Sequence, residues 1–273
     1  MFIWYYIEDK RYIEINILTG VLDLKAIILA AGYATRLYPL TIDTPKALLE
    51  VGDRAILDHI LDNVMQIEAV DEVFIVTNEK FYKHFLDWKE ESSQTPKLFS
   101  DLPITIFNDG TTNEETRLGA LGDLKFVIDS ANISDDIIVL AGDNLMDFSV
   151  LGFYNYFRTV DSSCVCVKEV QPHELEKMGI VLMDEDNRII DFEEKPKNPK
   201  SSLGAYAIYI YKKDTLDLLN DYLSSGNNPD APGNFPAWLC HRQAVYGYVF
   251  SGRCYDIGTP DAYKEVQELY KDR

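Results

Sequence analysis

Residues 25–31 read KAIILAA, an apolar run of strand length that is too short for an ordinary helix. Similar runs recur at 71–78 (DEVFIVTN), 104–109 (ITIFND) and 136–144 (DIIVLAGDN). Between them lie ILDHILDNVMQI (56–67), KFYKHFLDWKEE (80–91) and a helical stretch near Arg117 to Ser130. Continuous apolar strands separated by amphipathic helices predict an α/β chain with a doubly wound, mostly parallel, Rossmann-like sheet and helices on both faces. Ligands in such sheets sit beyond the carboxyl ends of the strands. The later runs, CVCVKEV, GIVLMD, RIIDFEEKP, AYAIYIYKK and AVYGYVFSG, are richer in strands and predict an extension of that sheet with a lobe of its own. No internal repeat and no Pro/Gly/Ser linker divides residues 25–273, which read as one domain with two sub-regions.

Upstream, residues 1–24 mix aromatic residues with charges and resemble no targeting signal. Two readings stand: an added strand or hairpin with ILTG (17–20) as its turn, or a non-native extension from a misplaced start, with the natural start at or near Leu24. The chain has 273 residues, of which 47% are hydrophobic, so it can bury one large core or two modest ones. Its 45 acidic residues against 26 basic ones give a formal charge of −19, which repels nucleic acid and anionic membranes. A phosphorylated small molecule would then need a local cationic site. Cys164, Cys166, Cys240 and Cys254 show no CxxC pairing, which fits a reducing cytoplasm, and no apolar run approaches the roughly 20 residues that span a bilayer.

The segment LAAGYATRLYPLTIDTPKALLEV, Leu29 to Val51, follows the first strand directly. A strand-to-loop junction of this kind can point backbone N–H groups at a phosphate chain, with Gly32 permitting either unusual dihedrals or close approach. Arg36 offers a planar fork to outer phosphates and Lys46 a point charge. An ordinary βα turn with solvated cations is the plain alternative. Asp143 ends an apolar strand, where a carboxylate is costly to bury without a cation or donors. Asp256 precedes a turn in GRCYDIGTPDAY. Two carboxylates suit Mg²⁺, which takes one or two protein oxygens and leaves the rest to substrate and water; a helix cap and an Asx turn are the alternatives. Glu193, Glu194 and Lys195 in DFEEKPKNPKSS read equally well as a solvated strand end.

As a set, these segments resemble the sugar-phosphate nucleotidylyltransferase family, over about Lys25 to Tyr263. Gly32 to Leu37, Pro39-Leu40-Thr41 and Pro45-Lys46 match its phosphate-loop signature, with Ala34 in place of the second glycine. The resemblance implies catalytic roles for Arg36 and Lys46 on the triphosphate and Mg²⁺ ligation by Asp143 and Asp256. It implies an NTP site formed by Leu29, Ala31, Gly32, Tyr33, Ala34, Thr35, Arg36 and Lys46, with Asn113 and Gly119 near the base. For the sugar phosphate it implies Gly179, Glu194 and Lys195, with Tyr206 completing the set. Tyr206-Ala207 replaces the family's Thr-Gly pair.

The stretch FNDGTTNEETRLGALGDL departs from the Gln-Pro-rich loop of thymidylyl and uridylyl members, and its Asn108, Thr112 and Asn113 spacing is somewhat like cytidylyltransferases for phosphocholine-type alcohols. The EEKP and Asp-Ile-Gly-Thr elements belong to sugar members. The expected reaction is therefore transfer from dTTP or UTP to a hexose 1-phosphate, glucose 1-phosphate foremost, by a cytoplasmic enzyme capable of homo-oligomerising. CTP with a phosphorylated alcohol, and a nucleotide-sensing subunit without catalysis, are the competing expectations.

Overall fold

A computed structural model of the chain describes residues 2–5, 13–16, 23–94 and 102–271. Strands β1 (Phe2–Tyr5) and β2 (Ile13–Asn16) pair antiparallel as a two-stranded sheet of their own. The turn expected at ILTG, residues 17–20, lies outside the described residues.

The alternating runs then form β3 (Leu24–Leu29), a short β4–β5 hairpin (Glu50–Val51 and Arg54–Ala55), α1 (Ile56–Val64), β6 (Val70–Thr77), α2 (Tyr82–Gln94), β7 (Ile104–Asn108), α3 (Ala120–Ala131) and β8 (Asp136–Ala141). Strands β7, β6, β3 and β8 lie side by side in that order, all parallel. Successive residues of β3 and β8 face opposite sides, as the pleat requires. Ala26, Ile28, Ile138 and Leu140 pack with α1 and with Phe81 and Phe85, whereas Ile27, Ile137 and Val139 pack with Leu121, Leu124 and Val127 of α3. Both faces are covered, and each fully buried Ile or Leu contributes about 1.5–3 kcal/mol. The helix expected from Arg117 starts instead at Ala120. Gly119 before it has φ +79°, and the Asn113 side chain closes a turn through Thr116.

The second half supplies β9 (Asn144–Met146), α4 (Leu151–Val160), β10 (Ser163–Glu169), β11 (Gly179–Met183), β12 (Ile189–Glu194), β13 (Leu203–Tyr211), α5 (Leu216–Ser224), α6 (Asn234–Leu239), β14 (Val245–Val249), β15 (Cys254–Asp256) and α7 (Pro260–Tyr270). Here the sheet turns mostly antiparallel and forks. One edge of β13 carries β8 against Ile208–Tyr211 and β11 against Leu203–Ala205, while β10 runs along its other edge. Tyr206 and Ala207 fall in the gap between the two ladders, next to the carboxyl end of β8. Cys164 and Cys166 are buried in one core cluster, and all four cysteines are free thiols.

Candidate active site

Buried polar side chains hold the phosphate loop. Asn78, at the end of the β6 run and 0% exposed, donates its Nδ2 to the Ala31 carbonyl at 2.8 Å and accepts the Phe81 N–H at 3.1 Å. Thr41, equally buried, donates its hydroxyl to the Ala34 carbonyl at 2.8 Å. The Tyr33 hydroxyl meets Thr111 Oγ1 at 3.1 Å. The left-handed dihedral of this loop falls on Ala34 (φ 49°, ψ 39°) and not on Gly32. Space for a side chain at Gly32 is open, with no atom within 4 Å, so of its two anticipated uses only close approach of a ligand fits. Ala34 is followed by a tight 3₁₀ turn, Thr35–Leu37, that carries Arg36, and Lys46 opens a second such turn after Pro45.

Gly142 explains the close junction on the other side. Its N–H donates to the Leu29 carbonyl at 2.8 Å, and a Cβ there would lie 3.0 Å from that oxygen and 3.1 Å from Ala30 Cβ. Asp143 follows at once. Asp256 arrives on β15, which pairs with β9 so that Asp256 lies opposite Asn144. Thr259 then stops the strand segment by capping α7, its Oγ1 accepting the Ala262 N–H at 3.2 Å with Pro260 in the first turn.

These turns bring the four charged groups together. Lys46 Nζ donates to Asp143 Oδ2 at 2.6 Å and reaches Asp256 Oδ1 at 3.4 Å. A Cβ on Gly258 would stand 3.4 Å from Asp256 Oδ1 and 3.7 Å from an Arg36 guanidinium nitrogen, so Arg36 shares the same cleft. The Lys46 side chain is 12% exposed, whereas those of Asp143 and Asp256 are 34% and 69% exposed. One ammonium thus faces two carboxylates whose oxygens remain open. Neighbouring Cys254 reports the same field: burial first, and then Asp143, Asp256 and Asp147, push its thiol well up. Two carboxylates with exposed hard oxygens beside a phosphate-binding cleft fit Mg²⁺.

Where the acceptor is expected, Gly179 lies opposite Glu194 across the β11–β12 ladder, and a Cβ at Gly179 would meet the Phe192 ring at 2.5 Å and Glu194 Oε2 at 3.0 Å. Gly233 presses on the same carboxylate, where any side chain would overlap Glu194. Burial raises the Glu194 carboxyl, with Lys195 opposing. Lys195 has a left-handed φ of 49°; its side chain is 60% exposed, with Nζ 3.9 Å from Glu194 Oε1. Tyr206 stands edge-on to Phe250 with ring centres 5.1 Å apart, and burial pushes its hydroxyl up to about 12. Cys254 and Glu174 add to the upward push on the same hydroxyl.

Around the expected base site the loop is occupied with its own bonds. Asn113 Oδ1 accepts the N–H groups of Glu115 and Thr116 at 3.0 and 3.1 Å. The close approach that Gly119 permits is made by Pro229 and Asp230, whose carbonyls accept the Leu121 and Ala120 N–H groups at 2.9 and 3.2 Å. Arg117 joins Glu114 at 3.1 Å and Asp230 at 2.9 Å, and Thr35 donates to Glu114 at 3.3 Å. Segment 227–234 therefore touches both the 108–119 connection, through Asp230 and Arg117, and Glu194, through Gly233. Sequence reading missed this segment, and it missed Asn78 and Lys168. Lys168 donates to the Gly252 carbonyl and lies 5.6 Å above the Phe250 ring. NNPDAPGN is an evident turn sequence, but nothing local in it indicates what the turn touches.

The chain matches the family model described as nucleotidyl transferase over residues 25–273. It is 30% identical over 255 residues to a glucose-1-phosphate adenylyltransferase of Fervidobacterium nodosum, covering 88% of this chain and 59% of the relative. The chain spans about three fifths of the length of the curated relatives it matches. Among solved structures, UDP-glucose pyrophosphorylase complexed with UDP-glucose superposes with a TM-score of 0.79 at 22% identity, covering 92% of this chain and all (100%) of that one. UTP-bound UGPase from Acinetobacter baumannii superposes at 0.74 with 18% identity, covering 91% and 93%. With a match that runs from β3 to the C-terminus and includes every charged group of the cleft, the chain belongs to the nucleotidyl transferase family.

Proposed function

We propose that the protein transfers a nucleotidyl group from an NTP to a hexose 1-phosphate, producing a nucleotide sugar and pyrophosphate. dTTP or UTP is the preferred donor and glucose 1-phosphate the preferred acceptor. The observation that carries this reading is the convergence of Lys46, Asp143 and Asp256, with Arg36 beside them at Gly258.

In this reaction an acceptor phosphate oxygen forms a bond to the α-phosphorus. The bond from that phosphorus to the bridging oxygen breaks, and pyrophosphate leaves with the electron pair. The attacking oxygen is already ionised at neutral pH, so no general base or protein nucleophile is needed, and catalysis is positioning plus charge neutralisation. Lys46 meets the charge growing at the α-phosphate. Arg36 holds the departing phosphates, and Lys195 with Glu194 holds the acceptor. Asp143 and Asp256 would hold Mg²⁺, whose chemistry when bound is to neutralise phosphate charge. The sugar's identity would be read at the fork, where Tyr206 stands between the two ladders.

Incubation with Mg²⁺, each of dTTP, UTP, CTP, ATP and GTP, and a panel of sugar 1-phosphates and phosphocholine, followed by a pyrophosphate assay, tests the reading. Release with dTTP or UTP and glucose 1-phosphate supports it. Release only with CTP and phosphocholine replaces it with the phosphorylated-alcohol reaction, and no release with any pair sinks the enzyme reading.

A further inference from the structure

Two buried carboxyl oxygens near the phosphate loop, one on Asp109 and one on Asp123, lack a donor. Asp109 follows β7, and Asp123 lies in the first turn of α3. Asp123 is 7% exposed. Asp109 Oδ2 and Asp123 Oδ1 are both buried, and neither meets an N–H or O–H group. Yet the Asp123 carboxyl is within hydrogen-bonding reach of the Asp109 carboxyl. Two ionised carboxylates held this way would combine like-charge repulsion with lost hydration, a costly arrangement in a protein interior. One proton between them makes one oxygen a donor and the other its acceptor, which satisfies both orphans.

The pair also sits at a junction. The other oxygen of Asp109 accepts the Thr111 N–H at 2.7 Å, and Thr111 Oγ1 meets the Tyr33 hydroxyl of the phosphate loop at 3.1 Å. Asp123 N–H donates to the Gly119 carbonyl at 2.8 Å. Asp109 thus begins connection 109–119 and Asp123 lies just past its end, so a bonded pair would tie those ends together, and Thr111 extends the link to the phosphate loop.

We propose that Asp109 and Asp123 share one proton, and that this protonated pair is a positioning element for nucleotide binding; the second half rests on the NTP reading above. Asp109 from the connection and Tyr33 from the phosphate loop are the titratable groups that face Asp123, and no Lys or Arg among the described residues forms an ion pair with either carboxyl. Burial first, and then the Asp109 charge, push Asp123 up to about 8. The proton is retained through neutral pH and leaves as pH rises through that value. Against an unfolded aspartate near about 3.9, the stabilisation from the pair is complete below about pH 4 and is lost progressively as pH climbs towards about 8. Once both groups are charged, they part, Tyr33 loses the support of Thr111, and NTP binds more weakly.

The test is a carboxyl-carbon NMR titration of the wild-type protein, alone and with Mg·UTP or Mg·dTTP, beside the dissociation constants of those nucleotides for wild type and Asp123→Asn across the same pH range. One buried carboxyl should keep its proton through neutral pH and release it near about 8. Nucleotide affinity should fall on the order of fivefold or more with that release, and by linkage bound nucleotide should raise the titration midpoint by the same factor. Asp123→Asn supplies a permanent amide donor and should flatten the affinity profile. Two ionised carboxyls at neutral pH would overturn proton sharing, and this readout needs no variant. Tight nucleotide binding with no linked loss, or an Asn variant that keeps the wild-type profile, overturns the positioning role alone. Absence of binding by all five NTPs at every pH overturns the substrate reading and the positioning role with it, while the titration still reports on the proton.

Discussion

In the phosphate loop, the carbonyls of Ala31 and Ala34 are gripped by the fully buried side chains of Asn78 and Thr41, and Lys46 is pinned at 2.6 Å with little exposure. In the turn after β12, Lys195 projects with 60% of its side chain exposed and one carboxylate 3.9 Å away. In the proposed reaction each region presents a cation to phosphate. The first is set before any ligand arrives, as stabilisation of a transition state demands. The second leaves room to adjust, as a pocket for a variable acceptor allows. Under the proposed reaction, the rigid half would serve the chemistry and the looser half the choice of acceptor.

Breaking the rigid half should have the largest effect. Asp143→Asn is expected to lower kcat by about 10²–10³, the range for removal of a preorganised electrostatic group. Asp256→Asn, farther from Lys46 and more exposed, should cost less. Steady-state kinetics of the two checks the order, and near-normal turnover in Asp143→Asn would remove that residue from the catalytic centre. Next in size is Lys195→Ala, which should raise KM for the sugar phosphate roughly tenfold, the loss of one charge-assisted hydrogen bond, and KM for the NTP much less. If the NTP constant rises more, the two halves are not divided as described. The smallest change sharpens the contrast. Ala34→Gly relieves a left-handed dihedral and should stabilise the fold by at most about 1 kcal/mol, read as a rise in the denaturant midpoint; loosening of NTP binding in the same variant would show that the loop's stiffness serves the ligand.

The parallel sheet was legible because its strands are buried on both faces and so appear as unbroken apolar runs. Arg36, Lys46, Asp143 and Asp256 were picked out by the family resemblance, each in a motif with a glycine or proline nearby, and the structure brings the four into one cleft. Asn78, Asp230 and Lys168 were not. Their partners are Ala31, Arg117 and Gly252, far away in sequence, and no period or spacing marks such a contact. Gly119 shows the subtler limit: its need for close approach was visible, but the approaching atoms belong to the chain's own Pro229 and Asp230. Positive-φ residues carry related information. Of the five non-glycine examples among the described residues, three are Asn or Asp in turns, where this conformation is inexpensive. The remaining two, Ala34 and Lys195, both lie in the candidate site, where strain of this kind tends to persist.

The fork at β13 has a further implication for how the molecule opens. One edge of a single strand carries the ladders of both β8 and β11, so amides on either side can exchange with solvent only when that strand lets go. Donor and acceptor halves should then melt as one cooperative block, with protection factors that rise and fall together.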